Sequence, residues 1–537
     1  MRSVPAAMKH TPWSSAQGAA LRDIGRLIHA RDWPAAEAAS LRLTGAFPSF
    51  AAGWHAASQT AFGQGRAAEA LERIDTALAL EPRSVQFLIH RARCLLALGR
   101  LPQACEGAAA ALRVAPPDPR VFDAIGGIFS FGNDPARALA AYDAAVKLAP
   151  DDPLFVFNRA AVRRFLGDLA GAEADYDRVI ALKPADYEAY KNRSDLRPQT
   201  LERNHIGQLE RLAAAGVADW RGAVQIHYAL AKEHEDLGDH GRAFEWLQRG
   251  SKIRRAHIRY DVKNDVATAA WIAEAFPTAP GGPTVGASDA APIFIVGLPR
   301  TGTTLVDRIV GSHSQIQSAG ELTHFAFAVV DAARGRSGRA HLPRRELIAQ
   351  SAGVDFAALG RDYLARVNAA STIPRRFTDK MPLNYLYCGL IRRALPNARI
   401  VHLNRHPMAA CYAMYKTLFA DGYPFSYDLD EIASYYIAYR RLMDHWQSTM
   451  PDGILPLHYE ALVADQVGET RRLLAFCDLP WEDACVRFHE NPAPSTTASA
   501  AQVRRPLYDS SVAQWRHYAS ELAGLGSRLA AAGIDIS

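Results

Sequence analysis

Between Ala19 and Asp186 the chain repeats itself every 34 residues, and no other feature of its 537 residues restricts the fold so strongly. Alanine recurs at Ala36, Ala70, Ala104, Ala138 and Ala172, and proline at Pro48, Pro82, Pro116, Pro150 and Pro184. A turn column reads Gly65, Gly99, Asn133 and Gly167, while Ser58, Ala92, Gly126 and Ala160 form a column of small residues. Small side chains let the two helices of a hairpin approach closely, Gly or Asn ends the first helix, and proline stops the second. A single hairpin cannot bury its own apolar face, but five in a row bury a continuous stack.

These columns resemble the tetratricopeptide (TPR) repeat, which implies an N-terminal α-solenoid. After Asp186 the period weakens, because Lys191 to Asn204 is polar and contains Pro198. A looser pair returns between Ala223 and Lys252, with Gly238 and Ala243 at the same five-residue offset as Gly65 and Ala70, and is expected to cap the solenoid. Phe87, Phe122 and Tyr176 are expected in its core. A solenoid of this kind presents a concave surface suited to extended peptides, so a peptide or protein partner is expected there.

The formal net charge is only +5, with acidic and basic residues mixed along the chain. Nucleic acid is therefore not an expected partner, although a basic cleft for a small anion is compatible with that charge. The six cysteines, at 94, 105, 388, 411, 477 and 485, form no C-x-x-C pair and no metal-ligand spacing, so reduced thiols and no metal are expected. The opening MRSVPAAMKHTPW lacks the apolar run of a signal peptide, and no later stretch approaches eighteen uninterrupted apolar residues. The expectation is a cytoplasmic protein with no membrane attachment.

The breaker-rich FPTAPGGPTVGASDAAP, from Phe276 to Pro292, marks a linker. The expected division is a solenoid over 1–263, a linker over 264–291 and an α/β domain with a parallel sheet over 292–537. The last of these opens with PIFIVGLPRTGTTLVDRIVGSHSQIQSAGE, from Pro292 to Glu321. Ile293 to Val296 reads as a strand buried on both faces, GLPRTGTT as an anion-binding loop, and the residues from about Gly302 as a helix whose positive end faces that loop. The spacing is that of a Walker A loop, G-x-x-x-x-G-K-S/T, but Thr303 stands at the lysine position. A nucleoside triphosphatase needs that lysine and Mg²⁺; here Arg300 is the loop's one cation, which suits a donor with less charge to neutralise.

This stretch resembles the P-loop-like domain of sulfotransferases that use 3′-phosphoadenosine 5′-phosphosulfate (PAPS), whose 5′-phosphosulfate loop has the form P-R-S/T-G-T-T. The resemblance implies that Arg300, Thr301, Gly302, Thr303 and Thr304 hold the donor. It extends to ARIVHLNRHPMAACYAMYKTLF, where Arg405 and Pro407 match a strand, R-D/N-P, helix segment that holds the 3′-phosphate. His406 and Ala413 depart from that pattern. Ala413 replaces a serine hydroxyl, a loss of about 1.5–3 kcal/mol if uncompensated, and Lys416 is a candidate substitute one turn further on.

Within the family, the tyrosylprotein sulfotransferases are similar at Glu321, twenty-one residues after Arg300 and preceded by glycine, which implies a catalytic base. His324 and His402 are rival bases, because small-molecule sulfotransferases use histidine. TDKMPLNYLY resembles the family's K-x-P segment and implies that Lys380 contacts the bridging oxygen of the leaving group. LHYEAL implies Tyr459 beside the cofactor. SAAQVRRPLYDSSVAQW implies that Ser499 assists the bridging oxygen and that Arg505, with Arg504, covers the 3′-phosphate.

The expected activity is PAPS-dependent transfer of a sulfuryl group to an acceptor hydroxyl, with a protein or peptide tyrosine as the candidate acceptor and adenosine bisphosphate as product. Two alternatives belong to other classes: a P-loop kinase-like phosphotransferase, and a TPR scaffold whose second domain is inactive.

Overall fold

The structure, a computed structural model, describes residues 13–277, 291–370, 376–419, 422–491, 493 and 502–537. The chain divides into two compact units, residues 1–162 and 163–537.

The first unit is a run of helix hairpins: Ser15–His29 with Trp33–Ala46, Ala51–Gly63 with Ala67–Leu80, Val85–Ala97 with Leu101–Val114, and Pro119–Phe131 with Pro135–Leu148. The repeated columns have the expected tasks. Ala36, Ala70, Ala104 and Ala138 are fully buried, and the turn column is left-handed at Gly65 (φ +76°), Gly99 (φ +71°) and Asn133 (φ +61°). Arg31, one period before Gly65, takes the same conformation (φ +57°), so the first hairpin keeps the turn without its glycine. At Gly126 a Cβ would lie 2.8 Å from the Tyr142 ring, so this repeat requires glycine in the column of small residues. Phe87 is buried as expected, whereas Phe122 is only half-buried.

The second unit contains the later helices Leu169–Leu182, Tyr187–Ser194, Ile206–Ala215, Trp220–Asp236, His240–Ala256 and Val262–Ala275, and a five-stranded sheet. Its strands are β1 (Ile293–Gly297), β2 (Gln317–Ser318), β3 (Phe377–Asp379), β4 (Arg399–Asn404) and β5 (Ile454–His458). They lie in the order β2-β3-β1-β4-β5, all parallel, with Ile293 opposite both Thr378 and Arg399, and Ile400 opposite Ile454. Parallel strands are covered on both faces, and β1 shows it: Ile293, Phe294, Ile295 and Val296 are all inaccessible to solvent. Burial of each such side chain contributes about 1.5–3 kcal/mol. Ile293 and Ile295 join a core with Val306, Ile309 and Leu473 on one face, and Phe294 and Val296 join another with Phe325, Tyr363 and Met414 on the other.

Two sequence expectations change here. Residues 264–275, assigned to the linker, continue the helix Val262–Ala275, and its end is fastened where His445 Nε2 meets the Phe276 carbonyl at 2.8 Å. Residues 278–290 of that segment lie outside the described residues. The pair Trp220–Asp236 and His240–Ala256, expected to cap the solenoid, puts Val224, Tyr228, Phe244 and Leu247 into the same core as Phe294 and Met408. Tyr228 also donates to the Tyr415 carbonyl (3.4 Å), and Arg255 grips Glu431 with two hydrogen bonds of 2.7 Å. An apolar face that the 34-residue register assigns to the next repeat is used instead to cover the sheet domain.

Candidate active site

Because all five strands are parallel, their C-terminal ends share one edge of the sheet, where ligands of open α/β folds bind. In spatial order that edge carries Glu321 after β2, Lys380 after β3, Arg300 after β1, Arg405 after β4 and Tyr459 after β5. Five residues scattered over 160 positions of sequence are thus brought into one row.

The loop after β1 is built around Gly302, which adopts φ +105° and precedes the helix Thr303–Val310. A Cβ at Gly302 would lie 2.8 Å from the Tyr459 ring, so the glycine lets the aromatic side chain close on the backbone. Thr301 is buried and its Oγ1 donates to the Leu298 carbonyl at 2.7 Å; it braces the loop and does not line the cavity beside it. We expect Gly302→Ala to destabilise the protein by about 1–3 kcal/mol, the cost of a side chain held at this positive φ. Gly335→Ala, with open space around its Cβ in the helix His324–Ser337, is the control and should be neutral or slightly stabilising. Thermal unfolding of the two variants checks this, and equal melting temperatures would contradict it.

Beside the loop is a cavity of about 120 Å³ lined by Arg300, Gly302, Thr303, Thr304, Arg405, Lys416, Tyr459, Arg505, Tyr508, Ser511, Gln514 and Trp515, among others. Four of its described lining residues are cationic and none is acidic. Arg405 organises it. Its Nη1 donates to the Arg300 carbonyl (2.9 Å), its Nη2 donates to the Ser511 carbonyl (2.6 Å), and its guanidinium lies 4.8 Å from the centre of the Tyr459 ring. Tyr459 OH in turn meets Ser511 Oγ at 2.8 Å. Burial, and after it the neighbouring Arg405, push the Arg300 guanidinium below the ordinary arginine range; burial does the same to Arg405. Burial disfavours the charged form of both guanidiniums, and an anion in the cavity would offset that cost.

The helix Pro407–Tyr415 presents Ala409, Tyr412 and Ala413 to this cavity, with Lys416 directly after it, the i, i+3, i+4 spacing of one helix face. The wall thus has a methyl group at Ala413 where the resemblance implied a hydroxyl, while Ser511 and Tyr508 bring hydroxyls from the opposite segment. Those two, with Gln514 and Trp515, were not singled out from the sequence; their signal was only membership of the segment that carries Arg504 and Arg505. Arg505 lines the cavity, but Arg504 does not: its Nη2 donates to the Phe165 carbonyl at 2.9 Å. Ser499 lies outside the described residues.

Lys380 and Glu321 form a second cluster. The buried Lys380 ammonium donates to the half-exposed Glu321 carboxylate, and Lys380 N–H donates to the Gly320 carbonyl at 2.8 Å. Asp307, one turn into the helix Thr303–Val310, accepts from Thr378 Oγ1 (2.5 Å) and from Ser318 Oγ (2.9 Å), tying that helix to β3 and β2. Burial raises the Asp307 carboxyl above its ordinary range, against the pull of Lys380 and of these hydroxyls. Asp379, preceding Lys380, is buried, accepts from Tyr363 OH at 2.9 Å, and is pushed up by burial to about 7.

The rival bases are placed less well. His402 is fully buried in β4, pairs with Tyr439 OH at 2.5 Å, and is pushed down by burial to about 3. It is a core histidine. His324 opens the helix His324–Ser337 three residues beyond Glu321, and burial lowers it as well. Among the described residues no group of three or more His, Cys, Asp or Glu is placed to hold a metal ion.

The comparison with known families decides the class. Residues 292–483 match the model described as sulfotransferase family, and residues 61–126 and 130–187 match tetratricopeptide repeat models. This chain carries a sulfotransferase-family domain behind TPR repeats. An uncharacterized protein of Aquifex aeolicus is 32% identical over 325 residues, which cover 58% of this chain and 42% of that protein. A protein-tyrosine sulfotransferase of Drosophila melanogaster is 23% identical over 246 residues, 42% of this chain and 46% of the relative. The chain thus spans less than half the length of either. Among solved structures, the sulfotransferase domain from the curacin biosynthetic pathway is similar over 44% of this chain and 99% of its own, with 16% identity and a TM-score of 0.31. No helix among the described residues is long and apolar enough to cross a membrane.

Proposed function

We propose that the sulfotransferase domain transfers a sulfuryl group from PAPS to an acceptor hydroxyl, and that the acceptor is a tyrosine of a peptide or protein. The observation that carries this reading is the cavity at the C-terminal edge of the sheet, with four cationic and no acidic residues among its described lining residues, next to a carboxylate–ammonium pair on the two adjoining strands. The lining fits an anionic nucleotide: Arg300 and the loop Gly302–Thr304 would hold its 5′ end, and Arg405, Arg505 and Ser511 a second anionic group. When bound, the donor supplies an activated sulfuryl group on a phosphate leaving group. Glu321 is the proton acceptor for the incoming hydroxyl. Lys380 holds positive charge where negative charge grows on the leaving oxygen. Ser499 is proposed to assist it.

Two arguments support a phenolic acceptor. Several relatives are named protein-tyrosine sulfotransferases. A phenol of pKa near 10 also leaves a smaller proton-transfer gap to a carboxylate than an alcohol does. The TPR hairpins supply a surface of the kind that takes extended peptides, and we assign them the capture of the acceptor or of a regulatory partner.

Calorimetry on the full chain with adenosine 3′,5′-bisphosphate, against ATP with Mg²⁺, tests the reading. We expect the bisphosphate to bind at least about tenfold more tightly, because a loop without the Walker lysine does not neutralise a triphosphate. Equal affinities would remove the sulfotransferase assignment and favour a phosphotransferase. Transfer from labelled PAPS to tyrosine peptides and to small phenols then identifies the acceptor class.

A further inference from the structure

At Lys416 the cavity carries a cation whose charge is matched by a carboxylate. Lys416 Nζ donates to Glu235 Oε2 at 2.6 Å and to the cavity residue Gln514 at 2.8 Å. Glu235 does not belong to the sheet domain as read from sequence. It projects from the helix Trp220–Asp236, its side chain is 11% exposed, and it also accepts from Tyr412 OH (2.5 Å) and Tyr518 OH (2.9 Å). One carboxylate therefore fixes two lining side chains of the cavity, Tyr412 and Lys416, from outside it.

We propose that Glu235 is a positioning residue that competes with the bound nucleotide for Lys416, and so limits how tightly the product is held. The inference rests on the reading of the cavity as a nucleotide site. While the cavity is empty, Glu235 neutralises Lys416 and holds it against Gln514. An anionic group that enters beside Arg405 and Ala413 meets an ammonium already committed to a carboxylate, and gains the full attraction of Lys416 only by drawing that ammonium away from Glu235. The arrangement couples occupancy of the cavity to the helix Trp220–Asp236, since a ligand that draws Lys416 away leaves Glu235 with its two tyrosine hydroxyls. A tightly bound product limits turnover, and an internal counter-anion of this kind opposes such retention.

The two partners then have opposite effects, which damage to the fold does not produce. In calorimetry on the full chain, Glu235→Gln should bind adenosine 3′,5′-bisphosphate about tenfold more tightly than the unaltered protein, because the carboxylate that competes for Lys416 is gone and the ammonium is free for the ligand in a poorly solvated site. Lys416→Met should bind it about tenfold more weakly. Binding of adenosine 5′-monophosphate, which has no second phosphate, should change by less than about threefold in either variant. The double variant should resemble Lys416→Met alone, since Glu235 acts through the lysine. The inference is overturned if Glu235→Gln binds the bisphosphate no more tightly than the unaltered chain, or if the two substitutions combine additively. Should Glu235→Gln not fold, Lys416→Met decides: equal losses for the bisphosphate and the monophosphate would refute it. Absence of bisphosphate binding to the unaltered protein would instead refute the nucleotide reading itself.

Discussion

Replacing Arg405 by alanine is expected to weaken binding of adenosine 3′,5′-bisphosphate by about 100-fold or more, since hydrogen bonds from a charged donor are worth about 1.5–3 kcal/mol each and this side chain makes two to the segments that enclose the cavity, besides the charge it would offer the ligand. The guanidinium joins three segments that meet only in the folded chain: the Arg300 carbonyl of the anion loop, the Ser511 carbonyl of the C-terminal segment and the Tyr459 ring after β5. Its removal deletes a cationic contact to the ligand and also frees the loop and the segment that enclose it. An exposed arginine on a helix start would cost far less. Arg405→Lys should not restore binding, because an ammonium cannot donate from a planar fork to two carbonyls and still stack on the ring. Calorimetry with a parallel melting curve separates lost contact from lost fold. A folded Arg405→Ala protein whose affinity stays within threefold of the original would exclude Arg405 from the site.

The second large effect concerns the base. Glu321→Gln should lower turnover with labelled PAPS by about 10²–10⁴-fold, the usual share of general base catalysis, while bisphosphate affinity stays nearly unchanged. Glutamine keeps an oxygen that can accept from Lys380, so the buried ammonium retains a hydrogen-bond partner and the local fold should persist. What is lost is the ability to take a proton. His324→Ala provides the contrast: burial lowers the affinity of this imidazole for a proton, and its Nε2 has no hydrogen-bond partner among the described residues, so its removal should cost little activity. Survival of activity in Glu321→Gln together with its loss in His324→Ala would transfer the role of base to the histidine.

Much of the site could be read in advance because its parts are local. A strand, a glycine that takes φ +105° and a helix start lie within eighteen residues, from Ile293 to Val310, and each has its own residue signature. The same holds for Arg405 between β4 and the helix Pro407–Tyr415. Residues whose task is set by distant partners were read less well. Arg504 and Arg505 are neighbours in sequence and equal in charge, yet one lines the cavity and the other binds the Phe165 carbonyl. Thr301 looks like a third hydroxyl for the ligand, but its Oγ1 is consumed inside the loop.

Sequence alone determined the helix hairpins, because a period of 34 with small, glycine and proline columns acts through contacts within one hairpin or with the next, and it determined the strand, loop and helix over residues 293–310. Only the tertiary structure decided which strand ends stand side by side, and hence that Glu321 meets Lys380 while Arg300 meets Arg405, because strand order depends on crossovers that leave no local mark. It also decided the fate of the helices Trp220–Asp236 and His240–Ala256. Their apolar faces carry the pattern of one more repeat, and an apolar face specifies that it must be covered but not by what. Here the cover is the sheet domain, and through it Glu235 reaches Lys416 in the cavity wall.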